Sequence, residues 1–298
     1  MPKRELLVGA CCAFGVFDGV HRGHQELISA VVRDAEDHNA PSVIISFDRD
    51  PDEILHPDTL KKVMSDESRL RELGNLDADY LMVLPCREEL LSLSPREFLN
   101  RLFDGGLARS MHVGTNFHFG QYGKGNLVYL KKWGQETGVE VYGHDLLLDE
   151  GKPVSSSRIR SLLAKGDVQG AAKLLGRPYR IEGIVRPGRG EGFDLGFRTA
   201  NLDVEPKLRV LGEGVYAAWA QVAGRSYKAA VSVGVSPTFA DTANSTCEVH
   251  LIDFDEAIYG VRIEVDFVDW MRPLKVFQSR QDLSQTVLEN IDWVRKNL

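Results

Sequence analysis

The chain has 298 residues, of which 43% are hydrophobic and 27% charged, a balance that fits a folded globular protein and argues against a disordered one. At ~100–200 residues per domain, this length suggests two domains or one large one. Lys and Arg number 36 against 43 Asp and Glu, a net charge of -7, which argues against a dedicated nucleic-acid binder. No run reaches the ~18 apolar residues that a membrane span needs. The opening Met-Pro-Lys-Arg-Glu leads into a short apolar run that soon meets Asp18 and His21, a poor signal peptide. Cys11, Cys12, Cys86 and Cys247 form no CxxC pair, so reduced thiols in a cytoplasmic protein are expected.

Taken in chain order, residues 6–16 read as a buried strand, followed by a Phe-Asp-Gly turn. Leu27, Ile28, Val31, Val32 and Ala35 recur at helical spacing. Residues 42–47 form a β-branched run, 66–76 read as helix and 80–84 as strand. Ser94-Pro95-Arg96-Glu97 is a capping box with proline at the first helical position. Residues 111–114 and 139–147 supply further strands. Strands alternating with helices imply parallel βαβ units, hence a doubly wound α/β sheet over residues 1–178.

After Tyr179 the texture changes to short strands at 181–185, 215–222, 227–233, 246–254 and 261–267. This pattern predicts an antiparallel barrel or sandwich over residues 179–298. A closing amphipathic helix over 279–297 places Leu283, Val287, Ile291 and Val294 on one face.

The segment Gly15-Val16-Phe17-Asp18-Gly19-Val20-His21-Arg22-Gly23-His24 lies between the first strand and the first helix. Open parallel sheets bind ligands at the carboxyl ends of their strands, and a helix N-terminus there suits phosphate. His21 and His24, three apart, fall on one side of the opening turn, and Gly23 permits close approach to the backbone. Two imidazoles so placed can donate to phosphate oxygens as charge builds. Surface histidines on an exposed turn are the plainer alternative; a metal site lacks carboxylate or cysteine partners.

The string from Gly15 to His24 resembles the prokaryotic bifunctional riboflavin kinase/FMN adenylyltransferase family, whose nucleotidyltransferase signature is His-x-Gly-His. Later segments extend the resemblance: residues 113–120, 154–160 and 167–179, then Leu195-Gly196-Phe197-Arg198-Thr199-Ala200-Asn201, residues 234–239, Cys247-Glu248-Val249-His250, Tyr259-Gly260 and Trp270-Met271-Arg272. It implies a Rossmann-like nucleotidyltransferase domain over 1–178 and a riboflavin-kinase-like antiparallel β-barrel with a terminal helix over 179–298. The implied activities are phosphorylation of riboflavin to FMN and adenylylation of FMN to FAD, with ATP as co-substrate and Mg²⁺ as cofactor. For the adenylyltransferase it implies catalytic His21 and His24, ATP contacts from Gly15, Phe17, Asp18, Gly23, Ser156 and Arg160, and flavin contacts from Asn116 and Phe117. For the kinase it implies Glu248 as base, with Gly188, Gly190, Gly192, Thr199 and Asn201 on Mg-ATP and Thr199 as metal ligand. Physically, Thr199 and Asn201 are two apart on an extended segment and point the same way. The partners expected are ATP, riboflavin and FMN, without nucleic acid or membrane.

Four positions depart from the family pattern: Arg198 in place of proline, Asp50 in place of histidine, Pro153 in place of a basic residue and Phe193 in place of arginine. They keep open a binding or regulatory homologue, or an enzyme retaining one activity.

Overall fold

In the computed structural model, residues 4–104, 106–187, 198–234 and 246–298 are described. Packing divides the chain into two compact units, residues 1–60 with 64–156, and residues 61–63 with 157–298.

The first unit is built on strands β1 (Cys11–Phe14), β2 (Ser42–Phe47), β3 (Tyr80–Leu84), β4 (Ser110–Gly114) and β7 (Glu140–His144). They form one sheet in the order β3-β2-β1-β4-β7, parallel throughout. Alternate residues of β1 and β2 enter two different cores. Cys12, Phe14, Val43 and Ile45 join one, and Cys11, Ala13 and Ile44 the other. A parallel sheet covered on both faces requires this, and it explains why β1 is apolar throughout and β2 apolar but for the buried Ser42 and Ser46. Helix α1 (Arg22–His38) buries Leu27, Ile28, Val31 and Ala35 against one face. Helices α5 (Pro95–Leu102) and α6 (Leu127–Thr137) supply Phe98, Leu99, Leu102, Leu130 and Trp133 to the other. The capping box forms as expected: the Glu97 amide donates to Ser94 Oγ, and the Ser94 amide to Glu97 Oε2 at 2.9 Å. Short helices α2 (Asp52–Leu55) and α4 (Glu88–Leu91), helix α3 (Asp66–Gly74) and the strand pairs β5 (His118–Phe119) with β6 (Gly125–Asn126) and β8 (Leu148–Asp149) with β9 (Lys152–Pro153) complete the unit.

The expected first strand over 6–16 shortens to β1, because Arg4–Leu7 winds into a 3-10 turn and Gly9 takes φ 71°. Helix α6 was not expected. Its Gly134 looks like a helix breaker, yet a Cβ there would sit 2.4 Å from the Val139 carbonyl, so glycine lets the helix pass close to the chain entering β7.

The second unit holds α7 (Ser156–Ala164, whose first residue ends the first unit), α8 (Val168–Leu175) and strands β10 (Tyr179–Arg186), β11 (Ala200–Asp203), β12 (Gly214–Val222), β13 (Arg225–Gly234), β14 (Thr246–Leu251) and β15 (Arg262–Arg272). The strands close an antiparallel barrel in the order β10-β11-β14-β13-β12-β15, which decides between barrel and sandwich. Helix α9 (Arg280–Asn297) is capped by Ser279 and packs Ile291 and Val294 with the cross-strand pair Ala217 and Ala230. Small residues on those strands leave room for the helix. The packing division falls at Ser156/Ser157, whereas the sequence texture changes at Tyr179; α7 and α8 lie between.

Candidate active sites

In the first unit the chain runs outward from β1 to β3 and then returns to place β4 on the other side of β1. A crevice opens where strand order reverses, so the segments that follow β1 and β4 flank it. These are the Gly15–His24 turn and the Gly114–Phe119 segment, both singled out from sequence.

The first turn is strained and tied. Phe17 and Val20 take φ 62° and 41°, positions that cost a bulky or β-branched residue conformational energy unless the surroundings fix them. Burial supplies part of the fixing, since Phe17 is 4% and Val20 1% exposed. Hydrogen bonds supply the rest. The Val16 carbonyl accepts from Arg69 Nη1 at 2.9 Å and Ser46 Oγ at 3.3 Å, the Asp18 carbonyl from Ser156 Oγ at 2.8 Å, and the Val20 carbonyl from Gln25 Nε2 at 2.8 Å. Three alternate carbonyls are thus held by side chains. Gly15 is required by the fold of the turn: a Cβ there would lie 2.9 Å from the Phe17 ring.

His21 is the N-cap of α1, with φ -72° and ψ 168°, and its Nδ1 accepts from the His24 amide at 3.4 Å. The two imidazoles stack, centroids 3.5 Å apart and planes within 18°. Burial pushes His24 well below its usual pKa and the neighbouring His21 pushes the same way, so His24 is neutral. Desolvation is the leading cause. His24 Nδ1 is shielded from solvent and has no partner among the described residues. A Cβ at Gly23 would stand 3.3 Å from the His21 ring, so glycine keeps this stack open.

After β4, Asn116 is exposed, while the Phe117 ring lies 5.1 Å from Phe14 and 5.6 Å from Phe119. Asp50 is 8% exposed and its Oδ1 accepts from the Asp52 amide at 2.9 Å. The carboxylate replacing a histidine therefore turns to the first turn of α2. Ser156 opens α7, and Arg160 one turn on donates to Ser157 Oγ at 3.1 Å. Pro153 is exposed in β9.

In the second unit, register places Asn201 of β11 opposite Glu248 of β14, and Glu248 opposite Ser232 of β13. Directly paired residues share a face, with Cβ atoms ~5 Å apart. Ala200, Cys247 and Val249 are buried, whereas Asn201 and Glu248 are half-buried, which separates an inner from an outer face. Thr199 stands just before β11 and is half-buried. His250, two residues beyond Glu248, lies 2.8 Å by its Nδ1 from the Arg198 carbonyl and so anchors the segment carrying Thr199. Burial lowers the His250 pKa, partly offset by that contact. Arg198 Nη1 donates to the Asp255 carbonyl. Gly188, Gly190, Gly192 and Phe193 lie outside the described residues.

Arg69, Ser46 and Gln25 carry no motif, and His250 lies in the matching segment 247–250 without a role of its own, so their signal in sequence is slight. A charged residue on the helical face of Leu70 and Leu73 reads as solvated, and His250 differs from other strand residues only in sharing the parity of Glu248.

Comparison with known proteins agrees with both halves. Residues 3–158 match the family described as FAD synthetase, and residues 175–298 match that described as Riboflavin kinase. The bifunctional riboflavin kinase/FMN adenylyltransferase of Pseudomonas fluorescens is 33% identical over 94% of this chain and 90% of its own length. That of Bacillus subtilis is 32% identical over 95% and 91%, and that of Escherichia coli 29% over 94% and 90%. A crystal structure from Streptococcus pneumoniae, described as a macrolide-efflux protein, superposes with TM-score 0.85 and 29% identity over 97% of this chain and 95% of that one. Among the described residues of this chain, no helix is long and apolar enough to cross a membrane.

Proposed function

The chain belongs to the bifunctional riboflavin kinase/FMN adenylyltransferase family, and from that premise we propose how its residues make FAD. The reaction has two steps, each consuming ATP. In the second unit the riboflavin 5′-hydroxyl attacks the γ-phosphorus of ATP, giving FMN and ADP. In the first unit the FMN phosphate attacks the α-phosphorus of a second ATP, giving FAD and pyrophosphate. We divide the two functions at residues 178 and 179, after the matched segment 3–158 and close to the start of the matched segment 175–298.

For phosphorylation, the Glu248 carboxylate takes the hydroxyl proton as the oxygen attacks, a role suited to a half-buried carboxylate on an open strand face. Asn201, its cross-strand partner, and Thr199 hold the nucleotide. Gly188, Gly190 and Gly192 are assigned to the same phosphates. A hard cation prefers oxygen donors and keeps several waters and phosphate oxygens as ligands. The Thr199 hydroxyl and Asn201 amide oxygen fit that need. Among the described residues no cluster of three His, Cys, Asp or Glu could form an all-protein cage, which suits an ion arriving with its nucleotide. Bound Mg²⁺ supplies neutralisation of phosphate charge.

For adenylylation, positioning and charge stabilisation suffice without a covalent intermediate. Neutral His24 donates one N–H to the phosphate oxygens, beside His21 and the amides of the tied turn. Gly15, Phe17, Asp18 and Gly23 shape that turn, with Ser156 and Arg160 as further phosphate contacts. Asn116 and Phe117 serve the flavin. The four cysteines are buried and unbridged, which supports a reducing, cytoplasmic setting.

The observation that carries the reading is the preformed turn, with its stacked histidines, at the strand-order reversal. Incubation with riboflavin and Mg-ATP, followed by chromatography of the flavins, tests it. FMN and then FAD are expected. FMN alone would refute the adenylylation assignment, and unchanged riboflavin would refute the kinase assignment and favour a flavin-binding homologue.

A further inference from the structure

Among the described residues, Arg69 is the largest fully buried side chain, 1% exposed on α3. Its guanidinium donates through Nη1 to the Val16 carbonyl at 2.9 Å and Ser46 Oγ at 2.7 Å, and through Nη2 to the Phe47 carbonyl at 2.7 Å and Asp66 Oδ1 at 3.0 Å. Its Nε has no partner among the described residues. Desolvating a cation is costly, and an apolar residue would fill this helix face without that cost. What an apolar residue cannot do is join the acceptors found here. Val16 opens the strained turn that carries His21 and His24. Ser46 and Phe47 end β2, and the chain proceeds from them to Asp48 and Asp50. Ser46 Oγ also donates to the Val16 carbonyl at 3.3 Å, so one fork closes a triangle between two strand ends.

We propose that Arg69 is a positioning residue of the adenylyl-transfer site: its buried fork locks the turn after β1 to the end of β2, so that the histidine turn is formed before ATP arrives. This rests on the reading that the turn holds ATP phosphates. A planar fork fixes several acceptors at once where an ammonium acts as a point charge, so lysine should be an incomplete substitute.

The test uses the full chain carrying Arg69→Met or Arg69→Lys. FAD formation from supplied FMN gives kcat and KM, riboflavin phosphorylation is assayed on the same sample, and thermal unfolding reports the folded fraction. Arg69→Met should lose about 10²-fold in adenylylation kcat, the scale of a small misplacement of reacting groups. KM for FMN and riboflavin phosphorylation should stay near wild type. Arg69→Lys should recover part of the loss. A folded Arg69→Met enzyme whose kcat falls less than about tenfold, beyond any change in folded fraction, overturns the proposal. If Arg69→Met does not fold, Arg69→Lys decides: an adenylylation kcat within about twofold of wild type, at equal folded fraction, overturns the proposal. A wild-type chain that makes no FAD from FMN would instead overturn the reading of the site and leave the Arg69 contacts unexplained.

Discussion

The two sites are built by different means. In the first unit, the proposed chemistry rests on a backbone turn. Its carbonyls at Val16, Asp18 and Val20 are taken by Arg69, Ser156 and Gln25, and its left-handed Phe17 and Val20 are buried. In the second unit, the proposed chemistry rests on side chains set in register, Asn201 against Glu248 and Glu248 against Ser232. A backbone site depends on distant residues that hold the chain. A strand-face site depends on register, which barrel closure already fixes. Losses at the first site should therefore spread to residues far from substrate, and losses at the second should stay with the residues that touch it.

The largest expected effect is at the strand face. Glu248→Gln keeps size and removes the base, so riboflavin phosphorylation should fall by roughly 10²–10⁴-fold, with FMN still converted to FAD. Steady-state rates with each flavin supplied separately check this; full kinase turnover would defeat the base assignment.

At the turn, His24→Ala removes one preorganised donor, and FMN adenylylation should drop by about 10²–10³-fold while phosphorylation persists. Equal loss of both activities would point to misfolding.

Acid should also separate the units. Burial lowers the pKa of His24, His112 and His144 in the first unit, with Asp34 pulling His112 partly back up. A histidine held below its ordinary 6.5 adds stability that is present above that pH. The stability is lost as pH falls, because the unfolded chain then binds the proton first. Asp34 adds a later loss. Burial opposes its ionisation, but hydrogen bonds from Ser110 and His112 outweigh burial and hold it at about 2 against an ordinary 3.8. That contribution survives above pH 3.8 and fades toward 2. In the second unit His250 is lowered in the same sense. Hydrogen exchange at about pH 7 and about pH 5.5 should show first-unit amides losing protection sooner. His112→Asn should flatten that difference.

The smallest effect concerns Arg198. Its guanidinium is engaged by the Asp255 carbonyl, so Arg198→Ala should change KM for ATP by roughly twofold at most, the scale of ordinary surface changes. A tenfold rise would mean that the arginine holds phosphate.

The same contrast explains what is legible in sequence. Residues 42–47 and 80–84 match β2 and β3 residue for residue, because short runs rich in β-branched and other apolar residues, bounded by polar turns, favour strands. The face shared by Asn201 and Glu248 is readable because period two fixes side-chain direction. The turn after β1 shows only its glycines and histidines. Nothing in the letters of α3 says that Arg69 rather than Arg71 points inward, because an arginine beside Leu70 and Leu73 looks like a solvated helix position. Gln25 and Ser46 are equally mute, since a hydrogen bond to a carbonyl needs no particular spacing. Gly134 misleads for a related reason: its value lies in a neighbour brought close by the fold.

The most direct test of two independent sites in one chain is complementation. Glu248→Gln and His24→Ala enzymes are each given riboflavin and Mg-ATP, alone and as an equal mixture, and FAD is measured. Neither should make appreciable FAD alone, whereas the mixture should, because FMN released by the His24→Ala enzyme is adenylylated by the Glu248→Gln enzyme. A mixture as inactive as its parts would contradict the account.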